Sequence, residues 1–323
     1  MGSLAVFALL PVPLMLAGCP KPAAPTIDDK KLPPPKVDET LPAVPVEVRA
    51  EKRGPMDGHN PSAKSPLLDI MAAENARWMK SFKNSADSPA YFLGYTIHDT
   101  QIIVLEAESG ALTIDANEKE RTLDVEVRVG SPKLDNRHPI KSPQIRQLTS
   151  FHHVGKAPLG AEPKAIAHHL WLETDRRYRE AALTLRMVKT EEQITTDKDV
   201  PPDFSHQEPE TFIQPVADVK FNRADWEARI RDCSKNALNG VATRGSCRVD
   251  AEVNTIYYVN SEGSTIQKSW TTSRLAISVG VKADDGMPLG RIEQEFAPTP
   301  NLLPGLERQK EMISLITKDL DDL

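Results

Sequence analysis

Between positions 67 and 82, apolar residues recur every three or four places: Leu67, Leu68, Met71, Trp78, Met79 and Phe82. That period predicts a helix with one buried face. Ser65-Pro66 supplies an N-cap and a first-turn proline, and Asn84-Ser85 ends the helix near residue 83. The period then falls to two. Strands are predicted over 91–98, 102–108, 111–116 and 121–130. In the last of these Leu123, Val125, Val127 and Val129 alternate with polar residues. Such alternation marks a sheet wet on one face. A proline-punctuated loop follows over 131–161. The longest helical stretch, 162–192, carries Ile166, Leu170, Trp171, Tyr178, Leu183, Leu185 and Val188. A second proline-rich loop covers 197–215. Beyond it come a helix from Phe221-Asn222 to about 238 and strands over 248–253, 256–260, 274–283 and 290–296. Asp284-Asp285-Gly286 reads as a turn. An amphipathic helix over 303–320 closes the chain.

This order predicts an α+β fold with mainly antiparallel sheets and packed helices. It also hints at two similar helix-plus-strands units. A helix followed by Glu108-Ser109-Gly110 and then Leu123-Asp124-Val125-Glu126-Val127 has an echo. The echo is a helix, Ser261-Glu262-Gly263, and then Leu275-Ala276-Ile277-Ser278-Val279.

The N-terminus has a different character. Residues 4–16 are almost wholly apolar, too few for the roughly 20 that span a bilayer but suited to a secretory signal. Leu16-Ala17-Gly18-Cys19 resembles a bacterial lipobox, which assigns 1–19 to a lipoprotein signal peptide and Cys19 to lipidation. Met1-Gly2-Ser3 departs from the pattern by lacking Lys or Arg, which leaves open whether Met1 is the true start. Pro20, rather than Asp, follows the cysteine, so the expectation is an outer-membrane lipoprotein facing the periplasm. Residues 20–66 hold 11 of the 27 prolines and no aromatic residue. That segment reads as a disordered spacer, with the folded domain at 67–323.

Composition narrows the function. With 40 Lys+Arg against 46 Asp+Glu in 323 residues, the net charge is −6, which argues against nucleic-acid binding. Apolar residues make up 39%, enough for a core. Three cysteines exclude a four-thiolate zinc site. An oxidising compartment favours a Cys233–Cys247 disulfide over reactive thiols. The chain has no His-Glu dipeptide, hence no helical zinc-protease motif. His168, His169 and Glu173 are weak metal candidates: His169 and Glu173 lie four apart on a helix, but no third ligand is visible, and a surface His–Glu contact is the plainer reading. There is no Gly-x-Ser-x-Gly elbow, no Ser-x-x-Lys and no glycine-rich phosphate loop. No catalytic or cofactor-binding residue is assigned.

Several runs, taken in order, carry a resemblance. They are Leu123 to Gly130 with Leu134-Asp135-Asn136, Leu170-Trp171-Leu172-Glu173-Thr174-Asp175 with Tyr178, and Asp203-Phe204-Ser205. Tyr257-Tyr258-Val259-Asn260-Ser261-Glu262-Gly263 and Ala283-Asp284-Asp285-Gly286-Met287-Pro288 complete the set. Together they resemble the N-terminal half of TldD/PmbA-family proteins, once called modulators of DNA gyrase, over residues 67 to 300. The resemblance implies a metalloprotease family in which an N-terminal α+β domain precedes a catalytic domain bearing zinc. No zinc-ligand position of that family has a match here. The expectation is a non-catalytic, membrane-tethered periplasmic module: the accessory half of a split metalloprotease, or a scaffold. Zinc would sit on a TldD/PmbA-type catalytic partner, and a peptide is the candidate ligand. The alternatives are an active metallopeptidase and a structural envelope lipoprotein.

Overall fold

A computed structural model describes residues 58–82, 88–142, 154–160, 162–192 and 201–322. The predicted signal, Cys19 and most of the predicted spacer lie outside the described residues. The folded unit starts earlier than position 67, however. Asn60 donates its backbone N–H to Ile213, and the Gln267 side chain bonds to Ala63, so 58–66 runs along the domain instead of ending a linker.

Helix α1 (Pro66–Phe82) is capped by the Ser65 hydroxyl, which accepts from the Leu67 N–H at 3.3 Å. It buries Leu67, Leu68, Met71 and Phe82. Two long strands, β1 (Ala90–Glu108) and β2 (Ala111–Ser131), form a hairpin closed by Ser109-Gly110. Both turn residues have positive φ, 50° and 86°, as a two-residue primed turn requires. The short strands β3 (Leu134–Asp135) and β4 (Gly155–Lys156) add to the outer edge of β2. Helix α2 (Pro163–Glu192) follows, then β5 (Thr211–Ile213) and α3 (Arg223–Ala237). A second long hairpin, β6 (Ala242–Asn260) and β7 (Thr265–Lys282), leads through β8 (Pro288–Ala297) to α4 (Leu306–Asp321).

The predicted α+β class with mainly antiparallel pairing holds. The strand order is β3-β2-β1-β6-β7-β5, with β4 on β2 and β8 on β7. Among the described strands only β5, running along the start of β7, is parallel. The central ladder is β1 against β6, from Gly94↔Asn260 to Glu108↔Ser246. The order of elements is alike in the two halves: each presents a helix, a long hairpin and a closing helix.

Odd-numbered positions of β1 and β6 face the helices. At one end Leu93, Tyr95, Ile97, Tyr257 and Val259 join α1 and α2 in a first core. At the other, Leu105, Ala107, Cys247, Val249, Leu275 and Ile277 join α3 and α4 in a second. The even positions form the other face, which is open except where Phe92 and Val104 are buried. At the middle of the long strands none of the described helices covers the sheet, and polar residues occupy the helix-side positions. Asp99, Gln101, Lys119 and Arg121 interrupt the apolar alternation there while the ladder continues. That is why the sequence pattern splits β1, β2 and β6 into pairs of short strands, and why it places the start of β7 nine residues late. Backbone pairing needs no apolar side chain; the two-residue hydrophobic period does.

Candidate functional site

Three of the resembling runs converge on one corner, where β1 begins, β2 ends and β6 turns into β7. Each of their residues has a physical task. In the Asn260–Gly263 turn, the Asn260 Oδ1 accepts from the N–H groups of Glu262 and Ser264 at 3.1 and 2.9 Å. Ser261 docks that turn on β1: its N–H donates to the Leu93 carbonyl, and its hydroxyl accepts from the Leu93 N–H. Gly263 takes φ 105°, a conformation open to glycine. Glu262 meets His206 Nδ1 at 2.6 Å.

The same corner holds Asp135, which is fully buried. Its carboxylate accepts from the Tyr91 hydroxyl at 2.5 Å and from Arg128 Nη1 at 3.0 Å. Burial, reinforced by the bond to Asp135, pushes the Tyr91 phenol above its ordinary value, so it remains a donor. Asn136 extends the edge of β2, accepting from the Val129 N–H and donating to the Val127 carbonyl. Asp203 spans to this hairpin from the segment ahead of β5. One of its oxygens accepts from the Asp135 N–H at 2.8 Å, and the other meets His138 Nδ1 at 2.8 Å. Phe204 fills the space between Tyr91, Phe92 and the Arg128 guanidinium, which stands 4.9 Å from its ring centre. The run 203–206 is thus strapped across the ends of three strands.

The run around Leu170 packs rather than reacts. Trp171 stacks on Trp78 and His168, and Tyr178 stacks on Phe82. Thr174 donates to the Leu170 carbonyl at 2.6 Å, which leaves its oxygen to accept from the Tyr95 hydroxyl at 2.7 Å.

The metal candidates do not come together as a ligand set. His168 is exposed and lies against Trp171, and Glu173 accepts from Arg176 at 2.7 Å. His169 Nε2 is shut off from solvent with no hydrogen-bond partner among the described residues. No group of three His, Cys, Asp or Glu able to hold a metal occurs among the described residues. Cys233 and Cys247 form a disulfide with Cα atoms 6.0 Å apart, joining α3 to β6. Beside it, β6 passes so close to the end of α3 that a Cβ on Gly245 would stand 2.7 Å from the Ala237 carbonyl carbon.

Two of the concavities lie on the sheet. A cleft of about 260 Å³ sits at mid-sheet on the helix side, floored by Val253, Thr255 and Tyr257 and edged by Leu159 and Val216. Arg121 and Asp99 close one end as a bidentate pair at 2.5 and 2.6 Å. A shallower trough of about 640 Å³ lies on the open face around Arg248, Arg274, Ser278 and Ile292. There Arg248 bonds Glu106 and Asp250, and Arg274 bonds Asp250, so charges cancel across the strands. Sequence reasoning missed Tyr91, His138 and His206 as parts of the corner. Only the proximity of His138 to Asp135-Asn136, and of His206 to Asp203, offered a signal.

No family model matches the chain, and no curated protein matches it. Solved structures do. A protein named as a modulator of DNA gyrase from Thermotoga maritima aligns at 10% identity with a TM-score of 0.39, over 76% of this chain and 47% of its own. TldE from Thermococcus kodakarensis aligns at 12% identity and a TM-score of 0.40, over 78% and 47%. A protein named as a modulator of DNA gyrase from Bacteroides thetaiotaomicron aligns at 9% and 0.44, over 77% and 50%. The chain spans about half the length of these structures.

Proposed function

We propose that this chain is a non-catalytic binding module of the TldD/PmbA N-terminal type, tethered through Cys19 at the periplasmic side of a bacterial envelope, and that it serves as the accessory half of a split metalloprotease. One observation carries the reading. Three of the runs that carry the resemblance meet at one corner, and their polar groups hold a strap and a turn in place. Tyr91, Arg128, Asp135, Asp203 and Glu262 are each engaged with a structural partner. Peptide hydrolysis needs an activated water or nucleophile and a stabiliser for the developing charge. The corner instead builds a shaped surface. On this reading zinc belongs to the partner chain, and the tether raises the local concentration of both.

The test is affinity capture of the tagged full chain from native membranes, with mass spectrometry of what accompanies it. A co-purifying chain carrying His-Glu-x-x-x-His supports the accessory role. Recovery of the chain alone, with a full equivalent of zinc, replaces it with a self-contained metallopeptidase. Recovery alone and without zinc leaves a stand-alone envelope role.

A further inference from the structure

We propose that the outer edge of β8 pairs antiparallel with the same strand of a second copy of this chain, extending the sheet through a two-fold axis at Ile292. The backbone is set for it. The Ala283 N–H donates to the Met287 carbonyl, which fixes the hydrogen-bonding phase of the β7–β8 ladder. Odd positions of β8 therefore bond to β7. Gly290, Ile292, Gln294 and Phe296 direct their N–H and C=O groups outward, where the described residues supply no neighbouring strand. Natural edge strands are commonly guarded by charges that obstruct such pairing. Here the charged side chains are matched by partners of opposite sign within the chain. Arg291 pairs with Glu293 and with Asp319 of α4, and Glu295 pairs with Arg308 of α4 at 2.7 Å. On the open face Ile292 and Phe296 are each 62% exposed, large apolar side chains left in solvent beside a free edge.

Charge selects both the occupant and the register. With the axis at Ile292, each Arg291 stands opposite Glu293 of the other copy, twice over, and Ile292 faces Ile292. An axis at Arg291 sets guanidinium against guanidinium. One at Glu293 or Gln294 sets carboxylate against carboxylate, as Glu293 against Glu293 or Glu293 against Glu295. Like charges directly opposite are destabilising, so one register stands out. The neighbouring helix agrees. Its contacts with Glu295 and Arg291 place Arg308 and Asp319 beside the edge, and Leu315 between them is 46% exposed. The same axis runs the two copies of α4 antiparallel. Arg308 then comes toward Asp319 of the other copy. A surface complementary to itself under a two-fold operation is what an isologous dimer requires.

The experiment uses the full chain carrying Cys19→Ser, which leaves no free thiol besides the one introduced. At a hydrogen-bonded antiparallel pair, Cα atoms sit about 5.5 Å apart, within disulfide reach. Ile292→Cys is expected to give a reducible dimer on mild oxidation, and Phe296→Cys, which faces Pro288 in this register, is not. In sedimentation velocity the parent chain is expected to dimerise. Arg291→Glu and Glu293→Arg should each weaken the dimer about tenfold, because two attractive pairs become repulsive. The double exchange should restore it to within about threefold. Thermal melts of each variant separate loss of association from loss of fold. A parent chain that stays monomeric, equal cross-linking at positions 292 and 296, or a double exchange no better than either single change overturns the proposal. None of these results depends on a catalytic partner, so they are separable from the accessory role.

Discussion

Tyr95 shows how one side chain ties two elements. It is fully buried on β1, and its hydroxyl reaches Thr174 on α2. Burial raises its pKa, so the folded protein keeps the proton to a higher pH than the unfolded chain does. The folded pKa lies above the unfolded value, so this contribution to stability is complete below about pH 10 and is lost as pH rises further. A single such group gives a slope of about 1.4 kcal/mol per pH unit. Tyr95→Phe is therefore expected to flatten the fall in denaturant midpoint between about pH 10 and 11. Asp203→Ala makes a second prediction. It removes the acceptor for the Asp135 N–H and the partner of His138, at about 1–3 kcal/mol, and should speed hydrogen exchange at Asp135 and Phe204. At this scale the sequence was legible where a residue type has a local task, as with Ser65 at a cap. Asp203 and Asp135, 68 positions apart, belong to separate runs of the sequence. Nothing in periodicity brings them together.

At the level of elements, helices were the most legible. Their apolar stripes pack on a sheet and so persist for their whole length, and the bounds of α1 and α3 depart little from those the pattern implies. The long strands were legible only where a helix covers them. β5 was invisible because three residues in a proline-rich run carry too little pattern, and its pairing with β7 is a tertiary event. The disulfide was anticipated from compartment and spacing. It closes a separation of 14 residues and secures α3 to β6 inside the second core. Replacing both cysteines by serine should lower stability by about 3 kcal/mol. Differential scanning calorimetry with and without reductant would show this, the serine double variant matching the reduced parent.

For the whole molecule, the proposed lipidation of Cys19 has the clearest physiological readout. Cys19→Ser should move the protein from the membrane pellet to the soluble fraction, since stable anchoring takes acyl chains the serine variant cannot carry. Fractionation followed by immunoblotting checks it. Membrane retention of the variant would defeat the lipidation claim.

The two cores are not separable bodies, because β1 and β6 run through both. Each hairpin closes locally, but the ladder that joins them brings Gly94 to Asn260 and Glu108 to Ser246. The non-local β1–β6 pairing is therefore expected to slow folding relative to closure of either hairpin. Cys233 and Cys247 belong to the same half, so their oxidation need not wait for that closure. A chain emerging from the ribosome N-terminus first would present its first hairpin with one long edge bare until the second arrives. That interval is when a chaperone has most to protect.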